Sequence, residues 1–494
     1  MRKLFRLTWI SVLVLLLALV LVVFGRAWQA GQQAGVLENV EPLTVTLEAE
    51  ALAQRLAGAL RFPTISYQDP AQIDSGAFRA LHAYLKAQFP RVHTHLRQEV
   101  ISGLSLLYTW PGQDTTLPAV LFMGHQDVVP IATPEAWTHP PFGGVIADGF
   151  IWGRGALDDK VSVLGVLEAV EQLLAEGFQP VRTVYLAFGH DEEVGGRYGA
   201  RRIAEILKAR KVSLIAVVDE GGFVVAGVIP GITRPVALVG VAEKGYVSLE
   251  LRARASGGHS STPPRQTAIG TLSQAIVTLV ENPFPARLEG PTRGLLERLA
   301  PYASFGPRIV LANLWLFGPL MKQALARSPA GNASLRTTMA PTIFEAGVKE
   351  NVLPTHARAV VNFRIFPGET VASVEQRVRA LLQGLPVQVN RLEGTGTDPS
   401  PVSDFEGEAF RRLAAAIRKA RAETPPIVAP YLVPGATDAR YFTTLSPNVY
   451  RFIGAQITSE LLATLHGVDE RIPVQEYVLA VRTYYALLRR LSAP

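Results

Sequence analysis

The stretch AVLFMGHQD, residues 119–127, reads as a short apolar strand that ends directly in polar side chains. The same design returns in VYLAFGHDEE at 184–193 and in LIAVVDEGG at 214–222. Between the first two, residues 161–176 carry apolar side chains at helical spacing. Strands that alternate with helices predict a mixed, mostly parallel α/β sheet, and ligands of such sheets bind beyond the carboxyl ends of the strands. We therefore expect all three polar clusters at one edge of one sheet.

The pattern changes near residue 245, where apolar and polar residues begin to alternate. From there to about 392 the chain predicts the ferredoxin-like order β-α-β-β-α-β. The predicted elements are a strand from about 245, a helix at 266–281, strands at 337–347 and 356–365, a helix at 370–384 and a strand at 386–392. Residues 283–333, rich in Pro, Trp and Phe, interrupt this order. The predicted division is one domain in two parts, 47–242 and 396–494, with a smaller domain inserted at 243–395.

The N-terminal run Leu7–Gly25 carries no charge and is long enough to cross a bilayer, which needs about 20 apolar residues. Three basic residues precede it, so the N-terminus is expected in the cytoplasm and the rest of the chain outside it: Arg2, Lys3 and Arg6. The prediction is a single transmembrane anchor at 1–26 and a linker at 27–46. The alternative is a cleaved signal peptide and secretion, although the apolar run exceeds the usual 7–15 residues of such a signal.

Composition excludes several classes of function. The 494 residues include no cysteine, so disulfide scaffolds, thiolate zinc sites and cysteine nucleophiles are impossible. A hydrophobic fraction of 48% and a net charge of only +6 exclude intrinsic disorder. Lys and Arg form no run beyond short pairs and do not alternate with aromatic residues, so nucleic acid is not an expected partner.

Acidic and histidine side chains are concentrated at the predicted sheet edge and in two loops: His125, Asp158-Asp159, Glu192-Glu193, Asp219-Glu220 and His466. Any one of them alone is typical of solvated surface or of a satisfied polar core. Three consecutive strand ends that deliver acids or histidine to one edge are not. Mixed imidazole and carboxylate sets suit zinc and similar metals, and five ligands with one shared carboxylate suit a site for two metal ions.

Nine motifs follow one another along the chain: GHQD (124–127), GRGALDDK (153–160), GHDEEVGG (189–196), VVDEGG (217–222), SGGHSSTPP (256–264), NVLP (351–354), NFRIFPG (362–368), GATDAR (435–440) and HGVDE (466–470). In this order they resemble the di-zinc aminoacylase/carboxypeptidase family, over roughly residues 47–490. The resemblance is greatest to the branch of Gly-X carboxypeptidase and N-fatty-acyl-amino-acid synthase/hydrolase. It implies a zinc-peptidase fold in which the inserted domain serves as a lid or dimerisation domain.

The resemblance also implies a metal site with two zinc ions per chain, cobalt or manganese being alternatives. The implied ligands are His125 and Asp219 for one ion, Glu193 and His466 for the other, and Asp158 for both. Glu220 is an alternative to Asp219, because some relatives supply the ligand from that position of the motif. Asp159 is implied only as a neighbour of the bridging carboxylate.

Three further residues receive catalytic roles from the resemblance. Glu192 would be the general base and acid for a hydroxide shared by the metals, and Asp127 would orient His125. His259 would polarise the scissile carbonyl. In relatives this histidine often reaches the site of a partner subunit, so a homodimer is one of the oligomeric states that the resemblance allows.

The implied substrate is an N-acyl amino acid or short peptide, with a free carboxylate next to the amide that is cleaved. Its carboxylate would be bound by residues of the inserted domain and of the second part of the larger domain: Asn351, Arg364, Thr437 and Arg440. The alternative function is a non-catalytic binding or receptor protein on the same fold. The intact base Glu192 and the full ligand set argue against that alternative.

Overall fold

A computed structural model of the chain describes residues 2–34 and 40–493, with side chains from residue 8 onward. The first helix, α1 (Arg2–Gln32), contains the one segment of the described residues, Thr8–Gln32, that is long and apolar enough to cross a membrane. The predicted apolar N-terminal helix is therefore confirmed. The side chains of its basic residues Arg2, Lys3 and Arg6 lie outside the described part.

The helix α1 continues past the predicted anchor boundary at residue 26 and ends at Gln32. Ala27, just beyond that boundary, is completely buried against the rest of the protein. The Nε of Arg26 donates a hydrogen bond to the carbonyl oxygen of Ala312, at 3.2 Å. These tertiary contacts keep residues 27–32 helical where the sequence predicts a linker. Residues 35–39 of that linker lie outside the described residues.

The chain from 49 to 243 supplies the first strands of the large sheet. Its helices are α2 (Ala49–Leu60), α3 (Ser75–Gln88), α4 (Pro90–His95), α5 (Lys160–Ala175) and α6 (Ala200–Ala209). Its strands are β1 (Arg97–Ile101), β2 (Ser105–Trp110), β3 (Ala119–His125), β4 (Val145–Ala147), β5 (Phe150–Trp152), β6 (Val184–Gly189), β7 (Leu214–Asp219), β8 (Phe223–Val225) and β9 (Val236–Glu243). The three strands that end in polar clusters, β3, β6 and β7, lie where the sequence predicts them.

The next part of the chain forms a separate antiparallel sheet. Its strands are β10 (Gly245–Arg254), β11 (Gly258–His259), β12 (Thr338–Ala346), β13 (Val352–Leu353), β14 (His356–Ile365) and β15 (Val387–Arg391). Its helices are α7 (Ala268–Glu281), α8 (Gly290–Leu299), α9 (Phe305–Leu311), α10 (Leu314–Leu325), α11 (Pro329–Ala333) and α12 (Val371–Leu381). The four-stranded sheet has the order β12-β14-β10-β15, and β11 pairs with β13 in a separate two-stranded ribbon.

The last part of the chain comprises α13 (Glu408–Ala420), β16 (Ile427–Val433), β17 (Val449–Arg451), α14 (Ser459–Leu462), β18 (Arg471–Pro473) and α15 (Val474–Leu491). Its strands β16 and β17 join the large sheet, whereas β18 pairs with β5 in a three-stranded sheet of order β18-β5-β4. The order of the large sheet is β1-β2-β6-β3-β7-β17-β9-β16, with β8 paired to β9. Its centre, from β6 through β3 and β7 to β17, is parallel, whereas β1, β2 and β8 pair antiparallel. The sheet is mixed, as predicted, but its parallel pairings do not outnumber the antiparallel ones.

A buried ion pair ties the large sheet to the loop that follows β16. The Nε of Arg451, on β17, lies 3.0 Å from Oε2 of Glu243 at the end of β9, and both side chains are almost completely buried. The same carboxylate oxygen accepts hydrogen bonds from the backbone N–H and the hydroxyl of Thr437. Removal of one partner from such a pair leaves an uncompensated charge in the core.

We expect Glu243→Gln to lower the free energy of unfolding by about 3–5 kcal/mol, because Arg451 loses its counter-charge inside the sheet. Chemical denaturation followed by circular dichroism measures the change. Glu205→Gln, at an exposed pair with Arg201 on α6, is the control and should leave the transition unmoved. A Glu243→Gln protein as stable as the wild type would show that the pair is not needed for the fold.

Candidate metal centre

Asp158 lies between two imidazole rings that come from distant parts of the chain. Its Oδ1 is 2.9 Å from Nε2 of His125, at the end of β3, and its Oδ2 is 3.0 Å from Nε2 of His466, in the loop after α14. The same nitrogen of His466 is 3.2 Å from Oε2 of Glu193. The structure therefore brings together four of the predicted ligands, with one carboxylate facing both histidines.

The next strand end contributes Glu220 instead of Asp219. Oε1 of Glu220 is 3.7 Å from Nε2 of His125. Asp219 turns the other way, where its Oδ2 accepts a hydrogen bond from the backbone N–H of Ala439 at 2.8 Å. Successive side chains along a strand point to opposite faces, so only one of the two residues can face the imidazole. The geometry therefore favours the alternative, Glu220, over Asp219 for the first ligand position.

Asp127 organises the turn beside His125. Its two carboxylate oxygens accept hydrogen bonds from the backbone N–H groups of Glu192 and Glu193 and from the hydroxyl of Ser66. Nδ1 of His125 is 3.0 Å from the carbonyl oxygen of Asp127 and 3.4 Å from its Oδ1. A proton on Nδ1 satisfies these oxygens and leaves Nε2 free to bind a metal. Burial alone would raise the pKa of Asp127, but the hydrogen bonds from His125 and Ser66 hold it below its usual range.

The carboxyl groups at the centre are poorly neutralised by the chain itself. Burial raises the pKa of Glu192 and Glu220 well above the usual range, and it also raises the pKa of Glu193. Nearby carboxylates, among them Asp158, add to the effect for all three. Oε1 of Glu193 is buried and has no hydrogen-bond partner in the part of the chain that the structure describes. Such a cluster favours the binding of a cation.

The donor set fits divalent metal ions of the zinc type. One group of converging donor atoms belongs to His125, Asp158 and Glu193, and a second to His125, Glu192 and Glu220, with all atoms of a group within 4.8 Å of one another. A tetrahedral zinc ion with bonds of about 2.0–2.1 Å holds its ligand atoms about 3.3 Å apart. The separations of 2.9 to 3.7 Å between Nε2 of His125 and the oxygens of Asp158 and Glu220 bracket that value.

Glu470 contacts the loop of Asp158, and no role for it is predicted from the sequence. One of its carboxylate oxygens accepts hydrogen bonds from the backbone N–H groups of Gly155, Leu157 and Asp158, at 3.1, 2.8 and 3.1 Å. The other lies 2.6 Å from Nη1 of Arg154. Glu470 follows His466 by four residues, so it ties the loop of one ligand to the loop of another. The residue lies within the quoted HGVDE motif, but nothing in the sequence indicates these backbone partners.

Asp159 lies next to the site and contacts the backbone of His125. Its Oδ1 accepts a hydrogen bond from the hydroxyl of Ser162 at 2.5 Å, and its Oδ2 lies 3.3 Å from the backbone nitrogen of His125. Burial raises the pKa of its carboxyl well above the usual range. Asp159 therefore acts on the backbone of β3 and does not face the imidazoles, which fits its predicted role as a neighbour.

Thr437 and Arg440 lie beside the turn that carries Glu192. The guanidinium group of Arg440 donates hydrogen bonds to the carbonyl oxygens of Thr437 and Gly195, at 3.1 and 2.8 Å. Between them, both carboxylate oxygens of Asp438 are buried without a hydrogen-bond partner among the described residues. A Cβ atom added to Gly196 would lie 1.9 Å from one of these oxygens, so only glycine allows the two loops to approach so closely.

The predicted residues of the inserted domain lie on different elements of that domain. His259 is exposed on β11, where its Nδ1 is 2.8 Å from the hydroxyl of Ser261. Asn351 lies next to it, at the start of β13, and its carbonyl oxygen accepts a hydrogen bond from the backbone of Ser260. Arg364, on β14, stacks over the ring of Tyr246 at 5.1 Å. His259 thus faces solvent in the single chain, whereas His125 and Glu192 lie in the buried cluster.

Known proteins share this arrangement of sequence and fold. The profile of peptidase family M20/M25/M40 matches residues 121–490. The chain is 39% identical over 457 residues to the probable carboxypeptidase S-like 2 of Dictyostelium discoideum, which covers 92% of this chain and 87% of that protein. It is 38% identical over 483 residues to the N-fatty-acyl-amino acid synthase/hydrolase of Homo sapiens, with coverages of 96% and 95%. An M20 family metallo-carboxypeptidase from Sulfolobus solfataricus has the same fold, with a TM-score of 0.65 at 19% identity over 89% of this chain and 99% of that one.

We expect Glu470→Gln to weaken metal binding about 10–100-fold, because an amide cannot accept from three backbone N–H groups and balance Arg154 as the carboxylate does. Titration of the metal-free protein with zinc against a competing chelator measures the affinity. Glu460→Gln is the control, since its carboxylate is exposed and pairs with Arg471. An unchanged zinc affinity in Glu470→Gln would mean that the two ligand loops hold their positions without this carboxylate.

Proposed function

The chain belongs to peptidase family M20/M25/M40 and is a metal-dependent hydrolase of amide bonds, and from that premise we propose that it cleaves an amide next to a free carboxylate. The substrate class is an N-acyl amino acid or a short peptide cleaved at its C-terminal residue. The observation that carries the proposal is the position of Asp158 between two imidazoles, with Glu192 in the same cluster.

The proposed metal ligands are His125 and Glu220 for one ion, Glu193 and His466 for a second, and Asp158 for both. We infer zinc as the resident metal, with cobalt or manganese as alternatives, since these donors are imidazole nitrogens and carboxylate oxygens. When bound, the ions supply a Lewis acid for the carbonyl oxygen and lower the pKa of a water molecule.

Glu192 is the proposed general base and acid. The raised pKa of its carboxyl, caused by burial, suits a group that must both accept and release a proton near neutral pH. It would take a proton from the attacking water and deliver it to the nitrogen of the leaving amine. The hydrogen bond from its backbone N–H to Asp127 fixes the turn from which the carboxyl projects. In a homodimer, His259 of a second copy would polarise the carbonyl.

Arg364 is the best candidate to bind the substrate carboxylate. Its guanidinium group forms no hydrogen bond or ion pair with any side chain described in the ranges 8–34 and 40–493, so its donor fork is free for a ligand. The two Nη atoms of Arg440 already donate to protein carbonyls. Burial, and to a lesser extent the charge of Arg364, lowers the pKa of the neighbouring Lys244 to about 8. An anionic substrate would offset this positive potential, and Asn351 and Thr437 would complete the carboxylate site.

The proposed location is a single-pass membrane protein with a cytoplasmic N-terminus and an extracytoplasmic hydrolase domain. The exposed apolar side chains of α1 support an anchor. So does the packing of its C-terminal end, because the amide of Asn313 donates to the carbonyl oxygen of Val23 at 3.0 Å. Cleavage after α1 would remove one of the two carbonyl oxygens that accept from this buried amide, the other being that of Ile309. The alternative location is secretion after cleavage.

We expect Glu192→Gln to lower the turnover of N-acyl amino acids and dipeptides by about 10²–10⁴-fold, because an amide cannot transfer the proton. The metal content should not change, since the variant keeps every proposed ligand. Amine release and metal per chain are measured on the same samples, with the exposed Glu205→Gln as control. A variant that retains full turnover would contradict the assignment of the base. A wild-type protein that binds these compounds and releases no amine would instead support the receptor alternative.

We expect Arg364→Ala to lower kcat/KM for substrates with a free carboxylate about 10–150-fold, and to change kcat/KM for their matching amides little. Arg364→Lys should be intermediate, because lysine keeps the charge but not the fork. Arg358→Ala, on the same strand but paired with Glu250 and Glu345, is the control. Equal losses on acids and amides would mean that Arg364 supports the fold and that Arg440 binds the carboxylate.

A further inference from the structure

The helices inserted at 283–333 expose several large apolar side chains. Four of them define what we call the apolar face: Phe305, Trp315, Leu316 and Leu320, which are exposed by 56%, 52%, 38% and 58%. No charged residue occurs between Arg308 and Lys322. A surface helix of a soluble domain normally shows charged residues to water, and contiguous exposed apolar patches mark interaction sites.

The helix α10 is apolar on two sides at once. Leu314 and Gly318, one turn apart, are buried against the protein, whereas Leu316 and Leu320, also one turn apart, face outward. The inward side explains how the helix is held in the fold. The outward side has no such explanation within the described residues, because nothing in them covers Leu320.

The apolar face continues directly onto α1. The rings of Phe24 and Phe305 are in contact, with centroids 6.1 Å apart. The side-chain amide of Asn313 donates to the carbonyl oxygen of Val23. The exposed Phe24 of α1 therefore joins the exposed Phe305 of α9, and the residue before α10, Asn313, is bound to the backbone of α1.

The position along α1 at which Phe24 and Val23 contact the inserted helices indicates what the apolar face binds. The uncharged run of α1 ends at Gly25, and Arg26 is the first charge after it. At 1.5 Å per residue, Val23 and Phe24 lie about 3–5 Å on the apolar side of Arg26. Helices that lie in a membrane interface bury their apolar face about 5–10 Å deep, and tryptophan is enriched at that level. Phe305 and Asn313, which contact α1 at Phe24 and Val23, are therefore held at the level of the outer interface, and Trp315 follows two residues after Asn313, in a cavity that Arg26 and Gln29 also line.

We propose that the apolar face rests in the outer leaflet of the bilayer that α1 crosses, so that the hydrolase domain is seated on the membrane and not merely tethered to it. The proposal rests on the anchor proposed above and is independent of the substrate. A second copy of the chain is a less suitable occupant, because a protein partner gives no reason for the face to stand level with the last apolar turn of α1.

The absence of cysteine from the chain permits a direct test. A single cysteine is introduced as Leu320→Cys or Leu316→Cys, labelled with a nitroxide, and the full chain is reconstituted in phosphatidylcholine vesicles. Collision rates with oxygen, which concentrates in lipid, and with a water-soluble nickel chelate are measured by electron paramagnetic resonance. Leu13→Cys, in the middle of α1, is the lipid reference. Val280→Cys on α7, exposed by 54%, is the aqueous control.

We expect the oxygen-to-nickel ratio at 320 and 316 to rise toward that at 13 and to exceed that at 280 clearly. If the oxygen-to-nickel ratio at both 320 and 316 equals that at 280, the apolar face does not rest in the bilayer and the proposal is overturned. Spin–spin broadening with protection from both reagents would overturn it in favour of a second copy. If the nickel chelate reaches the label at 13, α1 does not cross the bilayer, and both the proposed anchor and the proposed membrane contact of the apolar face are overturned. Amide hydrolysis measured on the same vesicles distinguishes each of these outcomes from a failure of the proposed function.

Discussion

The rest of the structure depends on a cluster of buried acids that the chain does not neutralise. Asp158, Glu192, Glu193 and Glu220 converge, and within the described part of the chain two imidazoles, those of His125 and His466, lie among them. The surrounding carboxylates, Asp127 and Glu470, are by contrast saturated with backbone N–H donors. Backbone N–H groups of the chain thus bind the outer carboxylates, whereas, among the described residues, the inner carboxylates lack such donors. Because uncompensated buried charges are destabilising, this distribution favours the binding of cations at the candidate centre.

The sheet order explains why these groups converge. β6, β3 and β7 are neighbours in the parallel centre of the large sheet, and neighbouring strands lie about 4.8 Å apart. The residues that follow their carboxyl ends therefore stand at the spacing of ligands around a pair of metal ions. The other two proposed ligands come from loops, Asp158 before α5 and His466 after α14. The two loops need contacts that fix their positions. Glu470, at the end of the loop of His466, accepts a hydrogen bond from the backbone of Asp158 in the other loop.

Much of this could be predicted from local pattern. The strands ending at His125, Gly189 and Asp219 and the six elements between 245 and 391 lie where periodicity places them. The choice between Asp219 and Glu220 could not be predicted in this way, because it depends on which face of the sheet the side chain at the end of β7 points to. The partners of Glu470 are more than 300 residues away in sequence and are backbone groups, which carry no signature. The extension of α1 to Gln32 and the antiparallel strands of the sheet likewise follow from tertiary contacts and pairing.

The insertion at 283–333 shows how one segment can satisfy two constraints. In sequence it interrupts the smaller domain, yet its helix α8 packs Leu296 and Leu299 into a cluster with Ile427 and Ala429 of β16, the edge strand of the large sheet. An edge strand needs cover against pairing with other chains. On its other side the same insertion receives Ala27 and the last apolar turn of α1. The end of the apolar helix is therefore joined to the body that carries the metal ligands through packed helices and not only through the chain that follows residue 32, so the orientation of that body relative to α1 is set by packing.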